Sequence, residues 1–302
     1  MKPGSPQRAP ELVAGGKTAS MRTGWLGRYL DVVGTQDNPL QGLSLDHHLQ
    51  PSLAAGRVPV ATVESPKKYD FWARGVWGPV QERMLDALGG MASAQPAGDP
   101  ALMQAAAAAY QTDQLRRQLT AFAAGTTPPT PVAYPSTSQA FPKRLQSLAS
   151  MIAAGLPLHC VALQAPGGYD THDNQADELS ANLGVTAQSL LAFQRDLEAR
   201  GISDRVVTLV WTEFGRRAEE NGSAGTDHGA AGIAFVMGTP VRGRMVGEFP
   251  GLAQGLDSEG NLRPTSDYRG LYSALLEQWF QTDAGAVIPG AERFARPSLI
   301  AA

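Results

Sequence analysis

"RVVTLVWTEFGRRAEENGSAGTDHGAAGIAFVMG", residues 205–238, encloses a long charged segment between two short apolar runs. The flanks, 205–211 and 232–237, are unbroken apolar stretches rich in β-branched and aromatic residues. Both are too short for helices and read as buried strands. Unbroken apolar strands point to a mostly parallel sheet covered on both faces. Between them, 212–232 carries Glu213, Arg216, Arg217, Glu219, Glu220, Asp227 and His228, with Asn221-Gly222 as turn material. A solvated loop would account for these charges. So would a site, because open parallel α/β sheets bind ligands at the carboxyl ends of their strands.

The same arrangement occurs upstream. "LHCVALQ" (158–164) reads as a strand, and "APGGYDTHDNQ" (165–175) follows it. A helix is predicted over 176–200, with Leu179, Leu183, Leu190, Phe193 and Leu197 as an apolar stripe and Gly201 as its stop. Further helices are predicted over 143–155 and 267–281. Nearer the N-terminus, "TGWLGRYLDVVG" (23–34) places Trp25, Leu26, Tyr29 and Leu30 on one side of a helix. "GRVPVATV" (56–63) suggests a strand that Pro59 keeps from a central place. Helices follow over 76–91 and, with Asp99 as N-cap, over 99–125. Helices alternating with short apolar strands predict an α/β fold, a layered sandwich with a mostly parallel sheet flanked by helices. The expected organisation is a single domain over 23–302 containing a Pro-rich loop at 126–142, after a polar leader at 1–22 that is expected to be disordered.

Composition narrows the function classes. Lys+Arg (25) nearly balances Asp+Glu (28), for a net charge of -3 over 302 residues. No basic field advertises nucleic acid or an anionic membrane. No apolar run approaches the roughly 20 residues of a transmembrane helix. The single cysteine, Cys160, excludes an internal disulfide and reads as a small core residue.

Five side chains stand out as candidate metal ligands: Asp170, His172, Glu213, Asp227 and His228. Carboxylate oxygens together with imidazole nitrogens suit Zn, Mn or similar divalent ions. A hydrogen-bonded carboxylate–histidine network without metal is the alternative. Taken singly, Asp170, Asp173 and Asn174 read as turn or cap formers. His47 and His48 read as surface or capping residues, and His159 as a satisfied core histidine. Arg216 and Arg217 are candidate charge stabilisers for an anionic substrate, or partners of Glu213 across a solvated turn.

"GWLGRYLD", "GGYDTHDNQ", "TEFGRRAEENGSAGTDHGAAG" and "RPTSDYRGLYSALLEQWF" together resemble the bacterial domain-of-unknown-function family fifteen-oh-one. Members of that family are similar to the alkaline phosphatase and sulfatase superfamily. The resemblance implies an alkaline-phosphatase-like fold, hydrolysis of small phosphate or sulfate esters, and a divalent metal (Zn, Mn, Mg or Ca). It also implies periplasmic export by a twin-arginine signal, although this chain carries no signal. Glu213 falls at the place of a metal Asp in the superfamily and Phe214 at that of a metal His. His228 resembles the later lone metal histidine. Asp170 and His172 resemble an earlier Asp and His, with Asn174 as the alternative counterpart. The family's first strand and nucleophile segment have no counterpart before "GWLGRYLD". The chain is therefore expected to be N-terminally truncated, to lack N-terminal strands and a nucleophile, and to be nearly inactive. A non-catalytic exported binding protein retaining the fold is the alternative function.

Overall fold

The computed structural model describes residues 22–66, 75–94, 98–124 and 129–301. All of the polar leader except Arg22, and positions 126–128 of the Pro-rich loop, lie outside the described residues. Along the chain run α1 (Trp25–Val33), β1 (Gly42–Ser44), β2 (Ala61–Thr62), α2 (Gly78–Ser93), α3 (Pro100–Ala124), α4 (Phe141–Ala153), β3 (Cys160–Ala162), α5 (Gln175–Ala199), β4 (Thr208–Val210), β5 (Gly215–Glu220), β6 (Thr226–Gly229), β7 (Phe235–Met237) and α6 (Tyr268–Gln278). Among the described residues the protein is thus α/β, with six α-helices and a small parallel sheet. No helix among them is long and apolar enough to cross a membrane. The described chain divides into two compact units, 22–129 with 147–164, and 130–146 with 165–301.

The first unit holds the parallel sheet, in the order β2-β1-β3. Leu43 faces Ala61 on one side of β1 and Val161 on the other. All three residues of β1 are buried, and Leu30, Leu40, Leu43, Leu45 and Leu53 have no exposed surface. This strand has no counterpart in the sequence reading, because three residues are too few to show a period. Strand 56–63 shortens to β2, and 158–164 to β3. Cys160 is buried in β3, and burial pushes its thiol well up. His159, expected in the core, is exposed one residue before that strand. His47 is a surface residue, as expected, with its Nδ1 3.2 Å from an exposed Glu64 carboxylate oxygen. Asp99 caps α3 by accepting a hydrogen bond from the Ala101 N–H at 2.8 Å. Buried Arg116 joins α3 to α2, donating to Asp113, Glu82 and Asp86.

The second unit holds α5, α6 and two antiparallel pairs, β4 with β7 and β5 with β6. Strands 205–211 and 232–237 were expected in a mostly parallel sheet. They instead pair antiparallel with each other, Leu209 opposite Val236. An unbroken apolar run records burial, not strand direction. Helix α5 also differs from its predicted stripe. Phe193 and Leu197 are buried, but Leu183 is exposed, and the packed face runs through Thr186, Ser189, Ala192 and Asp196. Asp196 is fully buried, accepting from Arg200 Nε at 2.7 Å and from the Tyr134 hydroxyl at 3.1 Å. This contact fastens the described part of the Pro-rich loop to the helix.

Candidate metal centre

The segment expected as a charged loop after β4 is a hairpin, β5–β6, with Asn221 at its turn. Arg216 lies opposite His228 in its register. Against it sits the turn 169–174 that leads into α5. Backbone bonds run from Gln175 N to Ala224 O (2.9 Å), from Asn174 N to Ser223 O (3.3 Å) and from Thr226 N to Thr171 O (3.4 Å). The Gln175 side chain adds bonds to the hydroxyls of Thr171 (3.0 Å) and Thr226 (2.8 Å). Asn221 donates to His172 O at 2.9 Å while its own Oδ1 accepts from the Ser223 and Gly225 N–H groups. The approach is so close that a Cβ on Gly225 would lie 2.2 Å from the His172 carbonyl carbon. One on Gly215 would lie 1.7 Å from Ala231 O, so the hairpin and the chain leaving it also need a residue without a side chain there.

This docking brings Asp170, His172 and His228 together. Asp170 Oδ1 lies 2.7 Å from His228 Nε2 and 3.1 Å from His172 Nε2, and the two imidazole Nε2 atoms are 3.1 Å apart. Tetrahedral zinc with bonds near 2.0–2.1 Å sets its ligand atoms about 3.3 Å apart. Two of the three separations therefore lie about 0.2 Å from that edge and the third, Asp170 to His228, about 0.6 Å short of it, and the donors' chemistry fits a divalent cation. Asp170 is 58% exposed and His172 46%, so the side away from the protein is open to solvent. Three protein donors and an open side is the ligand count of catalytic rather than structural zinc.

The surroundings orient these donors. Asp227 Oδ1 is 3.4 Å from His172 Nδ1, a long contact that favours a proton on Nδ1 and a lone pair on Nε2. Phe214 stacks on His228, with ring centroids 3.9 Å apart and planes 23° from parallel. Burial pushes the Asp170 carboxyl up, but the hydrogen bond from His228 and the charges of His228, His172 and Arg216 outweigh it and hold it below the usual range. Hydrogen bonds from Asn221 and His172 likewise hold Asp227 low.

The two adjacent arginines of β5 differ in their partners. The Arg216 guanidinium donates to Thr226 O (2.7 Å), Tyr169 O (2.7 Å), Asp170 Oδ1 (2.8 Å) and, at 3.5 Å, Thr171 O. The Arg217 side chain makes no hydrogen bond among the described residues, and its Nε is buried without a partner. Its charge acts on Asp227. Glu213 is exposed and lies outside the donor group. Asn174 sits in left-handed conformation ahead of α5, and it too lies outside.

Over residues 7–290 the chain matches the family described as "Protein of unknown function (DUF1501)". The chain belongs to this DUF1501 family. Comparison with curated proteins and with solved structures gives no match. In this DUF1501 chain the two segments that carry the donors, 169–174 and 226–228, both fall inside the matched region.

The sequence reading missed Phe214 as the wall behind His228, Asn221 as the latch between turn and hairpin, and Gln175 as the bridge between two threonines. The Asn-Gly pair was the available signal for a hairpin. Its strands are polar on both faces, so no apolar alternation marked them.

Proposed function

We propose that the centre binds one divalent cation, held by Asp170 Oδ1, His172 Nε2 and His228 Nε2. We further propose that it serves hydrolysis of small phosphate or sulfate esters in an alkaline-phosphatase-like fold. The carrying observation is the convergence of those three atoms within about 3 Å of one another on an open surface. Two imidazoles with one carboxylate suit Zn or Mn better than Mg or Ca. A bound cation would supply a Lewis acid for an ester oxygen and stabilise developing negative charge. The chain's own groups would do the rest. Asp227 holds the His172 tautomer that presents Nε2, and the Phe214 ring limits rotation of His228. Phe214 stands where the resemblance places a second metal's histidine, so the reading is of a single-metal centre.

One observation favours a second reading, a non-catalytic binding protein that retains the fold. The 2.7 Å contact of His228 with Asp170 satisfies both groups without a cation. Equilibrium dialysis against zinc, followed by assay with 4-nitrophenyl phosphate and 4-nitrophenyl sulfate, tests both. The expected result is one zinc per chain, lost in His228→Ala and Asp170→Asn, with chelator-sensitive hydrolysis of one ester. Absence of zinc binding would overturn the metal reading; stoichiometric zinc with no turnover of either ester would favour the second.

A further inference from the structure

We propose that Arg216 is the positioning residue of this centre, a clamp that sets the spacing of the donors and does not contact substrate. The proposal rests on the metal reading above, and its test separates the two. A substrate-binding arginine needs free N–H groups facing solvent. In Arg216 the two Nη atoms are committed to four acceptors, and the side chain is only 19% exposed. Those acceptors lie on both ligand-bearing segments: Tyr169 O, Asp170 Oδ1 and Thr171 O on the turn, Thr226 O on β6.

The consequence for geometry follows from which atoms are joined. Nη2 holds Asp170 Oδ1, the same oxygen that faces both imidazoles. Nη1 holds the backbone two residues before His228. The guanidinium carbon also lies 5.1 Å from the centre of the Phe214 ring, whose other contact is the His228 imidazole. One planar group thus fixes the carboxylate donor directly, and the His228 donor through the backbone and through a stacked ring. Its fixed fork can do this because four Nη hydrogens project in one plane; an ammonium has three donors around a point and cannot span the same acceptors. Electrostatics alone would make the opposite contribution, because a guanidinium 2.8 Å from the donor oxygen repels an incoming cation. Position and charge therefore predict effects of opposite sign on metal affinity.

The experiment compares wild type, Arg216→Lys, Arg216→Gln and, as a stability control away from the centre, Asp196→Asn. Three quantities are read: the zinc dissociation constant by competition with a chromophoric chelator, the melting temperature without metal, and the imidazole 15N resonances of His172 and His228 in metal-free protein. If Arg216 positions the donors, Lys and Gln variants both weaken zinc about 10–100-fold, as loss of an outer-shell partner does. Both also displace the two imidazole signals, whereas Asp196→Asn lowers the melting temperature and leaves affinity and signals in place. Tighter zinc binding by Arg216→Gln, or wild-type affinity in Arg216→Lys, would show that charge rather than the fork matters and would overturn the proposal. If wild type itself binds no zinc, the metal reading fails, and the clamp is still decided: unmoved His172 and His228 signals in both Arg216 variants would refute it.

Discussion

Replacing Gly225 by alanine perturbs the seam on which the centre depends. An alanine Cβ would stand 2.2 Å from the His172 carbonyl carbon and 2.3 Å from its oxygen. Ordinary contact begins at 3.4 Å, so the hairpin turn and the 171–174 segment must part by about 1 Å. Both sides are backbone, and neither can swing away as a side-chain end would. Overpacking of this sort costs about 1–3 kcal/mol. For a unit of this size each kcal/mol lowers Tm by about 2–4 °C, giving an expected drop of about 2–12 °C. The separation of His228 from His172 and Asp170 is set across the same seam. A shift of about 1 Å exceeds the ~0.2 Å tolerance of a metal–ligand distance several-fold. Zinc affinity should fall at least tenfold, beyond what the loss of stability explains, because the folded fraction stays near one. Differential scanning fluorimetry and zinc competition on the same preparation check both. Wild-type melting together with wild-type zinc affinity would refute the claim that this contact holds the centre in register.

Asp196→Ala should destabilise the protein by about 3–5 kcal/mol in urea titration, because it strands the buried Arg200 guanidinium and frees the Tyr134 hydroxyl; a loss under 1 kcal/mol would contradict a buried, matched pair. The Asp113 carboxyl supplies an acid-pH prediction. Burial pushes it up, but hydrogen bonds and charges from Arg117 and Arg116 hold it below the usual range. A depressed folded pKa means that the contribution is fully present above the unfolded value of about 3.9 and is lost as pH falls through the folded one. Between pH 4 and pH 2, Tm should therefore fall more steeply for wild type than for Asp113→Asn, and parallel curves would exclude this contribution.

Local chemistry made parts of this protein legible in the sequence. Asp99 before a run of helix formers announced a cap and a helix, and both are present. Of Trp25, Leu26, Tyr29 and Leu30, placed by their spacing on one side of α1, all but half-buried Leu26 are buried. The motifs around Asp170, His172 and His228 identified the family and the two segments that carry the donors. Such signals are encoded within one turn of helix or a few residues of chain. What only the tertiary structure decided depends on pairing between distant segments. Apolar runs at 205–211 and 232–237 record that a residue is buried but not the direction of its neighbour, so they fitted a parallel sheet as well as the antiparallel pair they form. Glu213 and His228 looked like equals as ligands. The fold leaves Glu213 on the surface and brings His228 to Asp170, 58 residues away in sequence. The same holds for two adjacent arginines. Arg216 is consumed by acceptors 10 to 47 positions away, and Arg217 is left unbonded, a difference that arises because successive side chains of a strand point to opposite faces.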